Sequence, residues 1–535
     1  MTLSNTTTSG PGSGGQSMHA ANAGVNPWLI AAAVILPTFM EVVDTSIASV
    51  ALPHIAGSLS ASVDEATWVL TSYLAANAIF LPASGWFALR FGRKRYLLTC
   101  IIIFTISSFA CGASFSLGMI LLARAIQGAG GGALQPISQA ILLESFPPEK
   151  RGQAMAVFGL GVVVAPIVGP TLGGWLTDQY SWRWAFYINI PVGILAVAMI
   201  MRYVTDPPYI RNAKAHRLDS IGLGLLAVGL GTLQVILDKG QEDDWFGTVW
   251  IRWATVIVVV SMIVFLIRQL KTAYPIVDLK VFKNRNFAFG CLLIALFGGF
   301  IYGIVTLLPL FFQTILGYSA SAAGIAVAPR GLGAVLIMPM VGIVTARLDN
   351  RWLIAAGFAL FGLSSLWFGG LTLYISEWSL TWPVIISGAA AGLVFVPLTT
   401  TAMGTLPNEQ VGNASGLYNL MRNIGGSVGI SMVNTLVTRH EQVRWNELTQ
   451  DVTPLHFRFQ SFFAGLQRVI TMRAGPGLAT QKSYALVGHI LEQQSASLSY
   501  VDVFRYLAVG SFACIFVVFL LKGVKATKGA HAAAH

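Results

Sequence analysis

The chain alternates long apolar runs with short polar connections. The runs fall at about residues 28–52, 66–89, 96–115, 117–142, 153–176, 183–203, 218–238, 249–270, 287–312, 320–346, 352–374, 381–403, 411–437 and 500–523. Each is close to the 20 or so residues that a helix needs to cross a bilayer. The pattern therefore predicts an all-α polytopic membrane protein with 14 transmembrane helices, numbered here as spans 1 to 14. Residues 1–27, rich in Ser, Thr, Gly and Asn and without Lys or Arg, read as a disordered cytoplasmic tail and lack the basic start of a signal peptide.

Span 1 breaks its own pattern, because Glu41 and Asp44 lie inside it. A carboxylate near mid-bilayer costs roughly 2.5–3.5 kcal/mol even on a lenient insertion scale. Their spacing puts both on one helix face, where they can point into a protein interior or a wet cavity. Span 1 runs outward and span 4 inward, which brings Asp44 and Arg124 to about the same depth, about 10–12 Å below the outer surface. Gln127 is then level with Glu41. Arg124 opposite a carboxylate is either a static pair or, since two acids face one Arg, part of a proton-exchanging group. Glu41 could carry protons or recognise cationic substrates.

Charge fixes the topology. The formal net charge is +11. Most of the excess lies in short connections on one side: Arg90, Arg93, Lys94 and Arg95; Lys150 and Arg151; Arg202, Arg211, Lys214 and Arg217; Arg268, Lys271, Lys280, Lys283 and Arg285; and Arg347 and Arg351. This bias marks the cytoplasmic side, puts both termini there, and makes the charge a topological signal rather than one of nucleic-acid binding. Cys100, Cys111, Cys291 and Cys514 lie in apolar spans without metal-ligand spacing, so neither a metal site nor a disulfide framework is expected. Residues 438–499 form one long outer connection with helical-looking pieces, parted at Gly475-Pro476. It is either a solvated cap or a docking surface.

The chain also repeats. Pro82, Gly85 and Arg90 recur as Pro339, Gly342 and Arg347; Pro147, Glu149, Gly152 and Ala154 recur as Pro407, Glu409, Gly412 and Ala414. Two parallel six-helix bundles follow, 28–203 and 287–523, with a linker over 204–286 that carries the two extra spans and a C-terminal tail over 524–535. Alternating access across a seam is what such an architecture permits. Arg330 in span 10 and Arg422 in span 13, the latter flanked by Asn419 and Asn423, could meet an anionic substrate group or bond carbonyls across the seam. Tyr73, Asn77, Gln135, Gln139, Phe297, Phe300 and Tyr302 could line a cavity, or pack between helices. Span 5 carries GLGVVVAPIVGPTLGG, in which Gly159, Gly161, Gly169, Gly173 and Gly174 permit close helix approach while Pro166 and Pro170 permit bending.

These motifs carry a resemblance. Leu36 to Pro53, Arg124-Ala125-Ile126-Gln127-Gly128 and residues 159–174 resemble the first-helix, span-4 and span-5 motifs of the major facilitator superfamily, in its 14-span drug:proton antiporter branch of the EmrB/QacA type. The resemblance covers nearly all of 28–525. It implies the major facilitator fold, and export of small hydrophobic or amphipathic drugs across the lipid bilayer of a bacterial inner membrane, in exchange for protons. Asp44, Glu41 and Arg124 are then the proton-coupling group. It further implies a periplasmic adaptor (EmrA-like) and an outer-membrane channel (TolC-like), with residues 438–499 as the candidate contact. In the loop 85–95, with Gly85, Arg90, Gly92 and Arg93, the acid usual in the gating motif is replaced by Leu89. No Walker loop, zinc motif or nucleophile elbow is present, so neither ATP hydrolysis nor an enzyme is indicated and no cofactor is expected. An uptake symporter of the same fold and a non-transporting receptor are the competing readings.

Overall fold

A computed structural model describes residues 25–211, 218–371, 377–450, 452–453 and 456–523. The tail expected at the N-terminus lies outside the described residues up to residue 24. So do the C-terminal tail from 524 and, within the linker, Lys214 and Arg217. Among the described residues the regular structure is helical throughout. Thirteen helices are long and apolar enough to cross a membrane. The remaining span, 13, lies in the helix Asn408–Gln450, whose interior Asn419, Arg422 and Asn423 dilute its hydropathy, and it packs along span 9. The all-α, 14-span architecture expected from the apolar pattern is therefore present.

Local chemistry sets the helix ends. Asn26 accepts the Trp28 amide at 3.0 Å and Pro27 occupies the first helical turn, so span 1 starts there. Ser62 and Glu65 form a reciprocal capping box at the start of span 2. Gly92, at φ +87°, turns the chain between Phe91 and Arg93, and spans 2 and 3 are joined by that one residue. Asp219 caps span 7 through the Gly222 amide at 2.9 Å and ties it to Arg268 of span 8 at 2.7 Å. Burial pushes the Asp219 carboxyl up, but its bonds from Gly222, Arg268 and Gln269 prevail and hold it below the ordinary carboxylate value.

Three spans are interrupted. Span 4 is Leu117–Gly131 followed by Leu134–Ser145, span 6 begins as the short helix Trp184–Tyr187, and span 10 breaks at Ala328 between Ala320–Val327 and Pro329–Val344. A larger difference concerns residues 438–499. Its helical pieces are longer than the sequence suggested, and the described residues of the segment are mostly helical. Span 13 continues to Gln450, a separate helix runs Phe457–Ala474, and the helix of span 14 begins at Pro476. The break at Gly475, φ +81°, stands where the sequence placed it. Hydropathy marks where lipid ends, whereas a helix ends only where backbone chemistry stops it.

Helix pairing repeats as the sequence does. Span 1 packs on span 5, 2 on 4, 3 on 4 and 3 on 6. Shifted by eight, the pairs 9 on 13, 10 on 12, 11 on 12 and 11 on 14 recur in the second half. The halves meet chiefly through two equivalent contacts, span 2 on span 13 and span 10 on span 5, with span 4 on span 13 and span 12 on span 5 beside them. The repeated glycines make both possible. A Cβ at Gly85 would lie 2.9 Å from Asn413 Cα, and one at Gly342 would lie 3.0 Å from Gln153 Cα and from the Gly152 carbonyl oxygen. Both contacts sit at the face of the Lys- and Arg-rich connections, called the basic face below. The opposite surface is the far face. Spans 7 and 8 pack on each other and lean on span 2.

Candidate functional site

Span 1 brings both its acids inside, with Glu41 5% and Asp44 1% exposed. Asp44 is fully engaged. Its Oδ2 meets Arg124 Nη1 at 2.6 Å, and its Oδ1 accepts from Gln127 Nε2 at 3.0 Å and from Asn189 Nδ2 at 2.6 Å. Arg124 is held in turn: Nε donates to the Val69 carbonyl at 3.1 Å, Nη1 donates to Gln127 Oε1 at 2.6 Å, and the guanidinium lies 4.3 Å from the Tyr73 ring centroid. Ser108 closes the group, accepting from Gln127 and Asn189. A buried ion pair is tolerable when its remaining lone pairs and protons are satisfied. Asp44 meets that condition on its side, while Arg124 Nη2 has no hydrogen-bond partner and rests against the Tyr73 ring.

Glu41 does not. Oε1 accepts from Asn77 Nδ2 at 3.0 Å and from the Tyr73 hydroxyl at 3.5 Å, while the buried Oε2 has no hydrogen-bond partner. The only cation in the first bundle's buried centre, Arg124, is spent on Asp44. Gln135 of span 4 lies beside Glu41 and accepts from Arg422 Nη2 of span 13. One turn further along, Gln139 accepts from Asn419 Nδ2 at 2.7 Å and from Ser415 Oγ at 2.9 Å. The inner half of span 4 is thus bonded to the inner half of span 13, and the two bundles are joined beneath the acids. Asn423 takes only a 3.5 Å bond from Arg422.

Other expected residues lie elsewhere. Phe297 packs against Phe358 and Phe361, at 6.0 and 6.4 Å between ring centroids, and Phe300 also faces Phe361. Phe297 is buried and Phe300 half-buried, and the four rings pack between spans 9 and 11. Tyr302 is half-buried against Gly426. Arg330 is 2% exposed, and neither of its Nη atoms has a hydrogen-bond partner.

The span-5 motif divides by face. Gly161, Gly169 and Gly173 approach Ile35, Ser46 and Ile47 of span 1, and Ser46 Oγ donates to the Pro166 carbonyl at 3.3 Å. Gly159 faces Phe395 and Met338 of the second bundle. Gly174 has open space where a side chain would be, so it does not belong to the packed seam, and Pro170 is half-buried on the same helix.

At the basic face Arg90 is exposed, but Arg93 is buried and pairs with Glu144 at 2.7 Å. Tyr209 donates to Glu144 Oε2 at 2.7 Å and to the Asn408 carbonyl at 3.4 Å, which carries the network to the second bundle. Burial raises the Tyr209 phenol above its ordinary range in spite of nearby Arg93, so the hydroxyl remains a neutral donor. The acid missing at Leu89 is thus supplied from the end of span 4, with Asp206 accepting the Lys94 amide at 2.9 Å. Sequence reasoning missed Ser108, Asn189, Glu144, Asp206 and Tyr209. Only Asn189 and Glu144 carried a signal, as lone polar residues at the ends of apolar runs.

A family profile described as Major Facilitator Superfamily matches residues 34–430. The chain belongs to that superfamily. Its members are secondary transporters, and this chain is one of them rather than an enzyme. It is similar to the multidrug export protein EmrB of Escherichia coli K12, 38% identical over 485 residues, covering 90% of this chain and 92% of that protein. It is also 36% identical over 500 residues to EmrB of Haemophilus influenzae, covering 92% and 95% of the two. Among solved structures, human MFSD10, an organic anion transporter, superposes with a TM-score of 0.57 at 14% identity, covering 93% of this chain and 99% of that one. That likeness shows the major facilitator fold.

Proposed function

We propose that this chain is a proton-coupled multidrug exporter of a bacterial inner membrane, with both ends in the cytoplasm, which moves hydrophobic or amphipathic compounds by alternating access. The supporting observation is the unequal treatment of two acids 3 residues apart in sequence: Asp44 is saturated by Arg124, Gln127 and Asn189, while Glu41 keeps a buried oxygen without a partner. A carboxyl group in that position readily takes a proton. Glu41 reaches the second bundle through Gln135 and Arg422, so its ionisation governs a tie between the bundles. A proton taken from the far face loosens the tie, the bundles rock, and the proton leaves to the cytoplasm when substrate binding restores it. One charge crossing 100 mV supplies roughly 2.3 kcal/mol, about a fifty-fold gradient. Similarity to multidrug export proteins supports the outward direction and the drug substrates.

Glu41→Gln keeps the hydrogen bonds and removes the exchangeable proton. In proteoliposomes this variant is expected to lose accumulation driven by a pH gradient by at least about tenfold, while substrate exchange without a gradient persists. Gradient-driven transport at the parent rate would refute the assignment.

The bundles are assigned as 28–203 and 287–523, with 204–286 as linker. The helical arm over 438–499 is the surface that we assign to a periplasmic adaptor, itself continuing to an outer-membrane channel. Two contacts anchor it: Arg444 holds Asp502 at 2.7 Å, and the helix Phe457–Ala474 packs on the one after it. It exposes Phe462, Val469 and Met472, the last of which lines a groove with Ala464, Gln467, Arg468 and Thr471. Replacing those three apolar residues with Ser should spare transport in vesicles and abolish drug resistance in cells. Unchanged resistance would count against docking there.

A further inference from the structure

Spans 7 and 8 stand outside both bundles, yet span 7 is bonded to each. It packs along span 2, where the buried Lys239 donates through Nζ to Thr67 Oγ1 at 2.8 Å. It also meets span 13, through two side-chain bonds. Ser427 Oγ donates to Gln234 Oε1 at 3.1 Å, and just beyond the helix end Trp245 Nε1 donates to Thr435 Oγ1 at 3.0 Å. Ser427 and Thr435 lie about 12 Å apart along their helix. Bonds at two such heights fix both the level and the tilt of span 13 against span 7.

Each bond is built by its surroundings. Gln234 Nε2 donates to Asp238 Oδ1 at 2.9 Å, one turn on, so the amide is oriented with its oxygen toward span 13. Trp245 requires more. The chain turns at Asp244 and Trp245, with φ of +53° and +47°, a conformation that a bulky residue rarely adopts and that lasts only where the surroundings impose it. Here the indole lies over Gly240, where a Cβ would be 2.7 Å from its Cζ3, and Asp243 accepts from Trp250 Nε1 at 3.1 Å, which closes the turn onto the start of span 8. The indole N–H is thereby aimed out of the turn at Thr435; a second acceptor, Gln241 Oε1, lies farther off at 3.4 Å.

Rocking of the bundles cannot leave this arrangement intact. Spans 2 and 13 belong to different bundles and touch at the basic face through Gly85 and Asn413, so opening that face changes their separation at the far-face end as well. A third element bonded to both must let go of one. Span 7 lies along span 2 and is held to it by a buried lysine, whereas its hold on span 13 is two neutral hydrogen bonds, each of modest strength. We infer that spans 7 and 8 are a moving part: they travel with the first bundle, latch onto span 13 through Gln234–Ser427 and Trp245–Thr435 while the basic face is closed, and release it when that face opens. This rests on the alternating-access reading and adds to it a lock on one of its two states.

Distances between spin labels in the purified full-length protein in nanodiscs test it. The four native cysteines are buried. Labels go in pairs to cysteines introduced at three exposed far-face sites: Ser58 at the end of span 1, Val249 at the start of span 8, and Val443 on the continuation of span 13. The bundles are driven by a step from about pH 8 to about pH 5, and separately by Gly85→Val, which crowds spans 2 and 13 at the basic face. The Ser58–Val443 and Val249–Val443 distances should shift together, by about 5 Å or more, while Ser58–Val249 holds. Trp245→Phe combined with Ser427→Ala removes both bonds but leaves a ring over Gly240, and should lower the ratio of latched to released populations about fivefold or more at the higher pH. A Val249–Val443 distance that holds while the other two shift would place spans 7 and 8 with the second bundle and overturn the inference, as would populations unchanged in the double variant. If that variant does not assemble, the three distances in the parent still decide. A Ser58–Val443 distance fixed under both conditions would instead sink the alternating-access reading itself.

Discussion

Asp44→Asn is expected to abolish export driven by a pH gradient, with the protein still reaching the membrane in normal amount. The side chain keeps its size, and its oxygen can still accept from Asn189 or Gln127. What disappears is the charge opposite Arg124, which is buried and has no second acid within its hydrogen bonds. Removing one partner of a buried pair costs roughly 3–5 kcal/mol because the other charge is left uncompensated. The nearest remaining carboxylate is Glu41, which the Tyr73 ring and hydroxyl link to Arg124. Arg124 should therefore draw on Glu41 and hold it ionised, so both acids are lost to proton exchange at once. The expected loss is at least about a hundredfold in gradient-driven rate, larger than for Glu41→Gln. Initial rates in proteoliposomes at matched protein content check it, and transport at the parent rate would show that the pair is merely structural.

Gly85→Val should shift the protein away from the arrangement described here. A Cβ at Gly85 meets Asn413 Cα at 2.9 Å and Asn413 N at 3.1 Å, which are backbone atoms that cannot swing aside. Two further methyl groups would force spans 2 and 13 apart at the basic face. Gly342→Val, at the repeat-related position, meets Gln153 Cα and the Gly152 carbonyl at 3.0 Å and should act in the same direction. Overpacking of this kind costs about 1–3 kcal/mol, which is about 5- to 150-fold in the balance between closed and open basic faces. The readout is labelling of a single cysteine introduced at Ser415, which is buried beneath that contact and bonded to Gln139. A membrane-impermeant thiol reagent applied from the basic face should react about tenfold faster or more in either valine variant. An unchanged labelling rate would mean that the two glycine contacts do not form the closure.

Much of this was legible from the residues alone, for physical reasons. Lipid imposes a length on apolar runs, so the spans could be read; a buried acid imposes a partner, so Asp44 and Arg124 could be matched by depth. The repeat at Gly85 and Gly342 announced two related halves, but not that both glycines lie where those halves touch. Other features left no such trace. Asn189 and Ser108 are ordinary polar residues until tertiary packing sets them beside Asp44. Glu144 replaces an acid expected next to Leu89 because a charge can be supplied to Arg93 from any chain segment that reaches it. In the arm over 438–499 the helical pieces and the break at Gly475 could be read, but the continuation of span 13 could not, because hydropathy falls at the membrane surface although the helix continues, there being no Gly or Pro between Gly429 and Gln450 to end it. Phe297 and Phe300 were ambiguous in the sequence, since an aromatic ring serves a cavity wall and a helix interface equally well.

The most direct measurement is proton exchange on ligand binding by the purified protein in weakly buffered solution. Addition of a transported compound should release protons from the parent, by about one per bound molecule if Glu41 alone exchanges. The release should vanish in Glu41→Gln and in Asp44→Asn, although both still bind. Binding with no proton released at any pH between 5 and 8 would contradict a mechanism in which the buried acids of span 1 change their ionisation as the bundles rock.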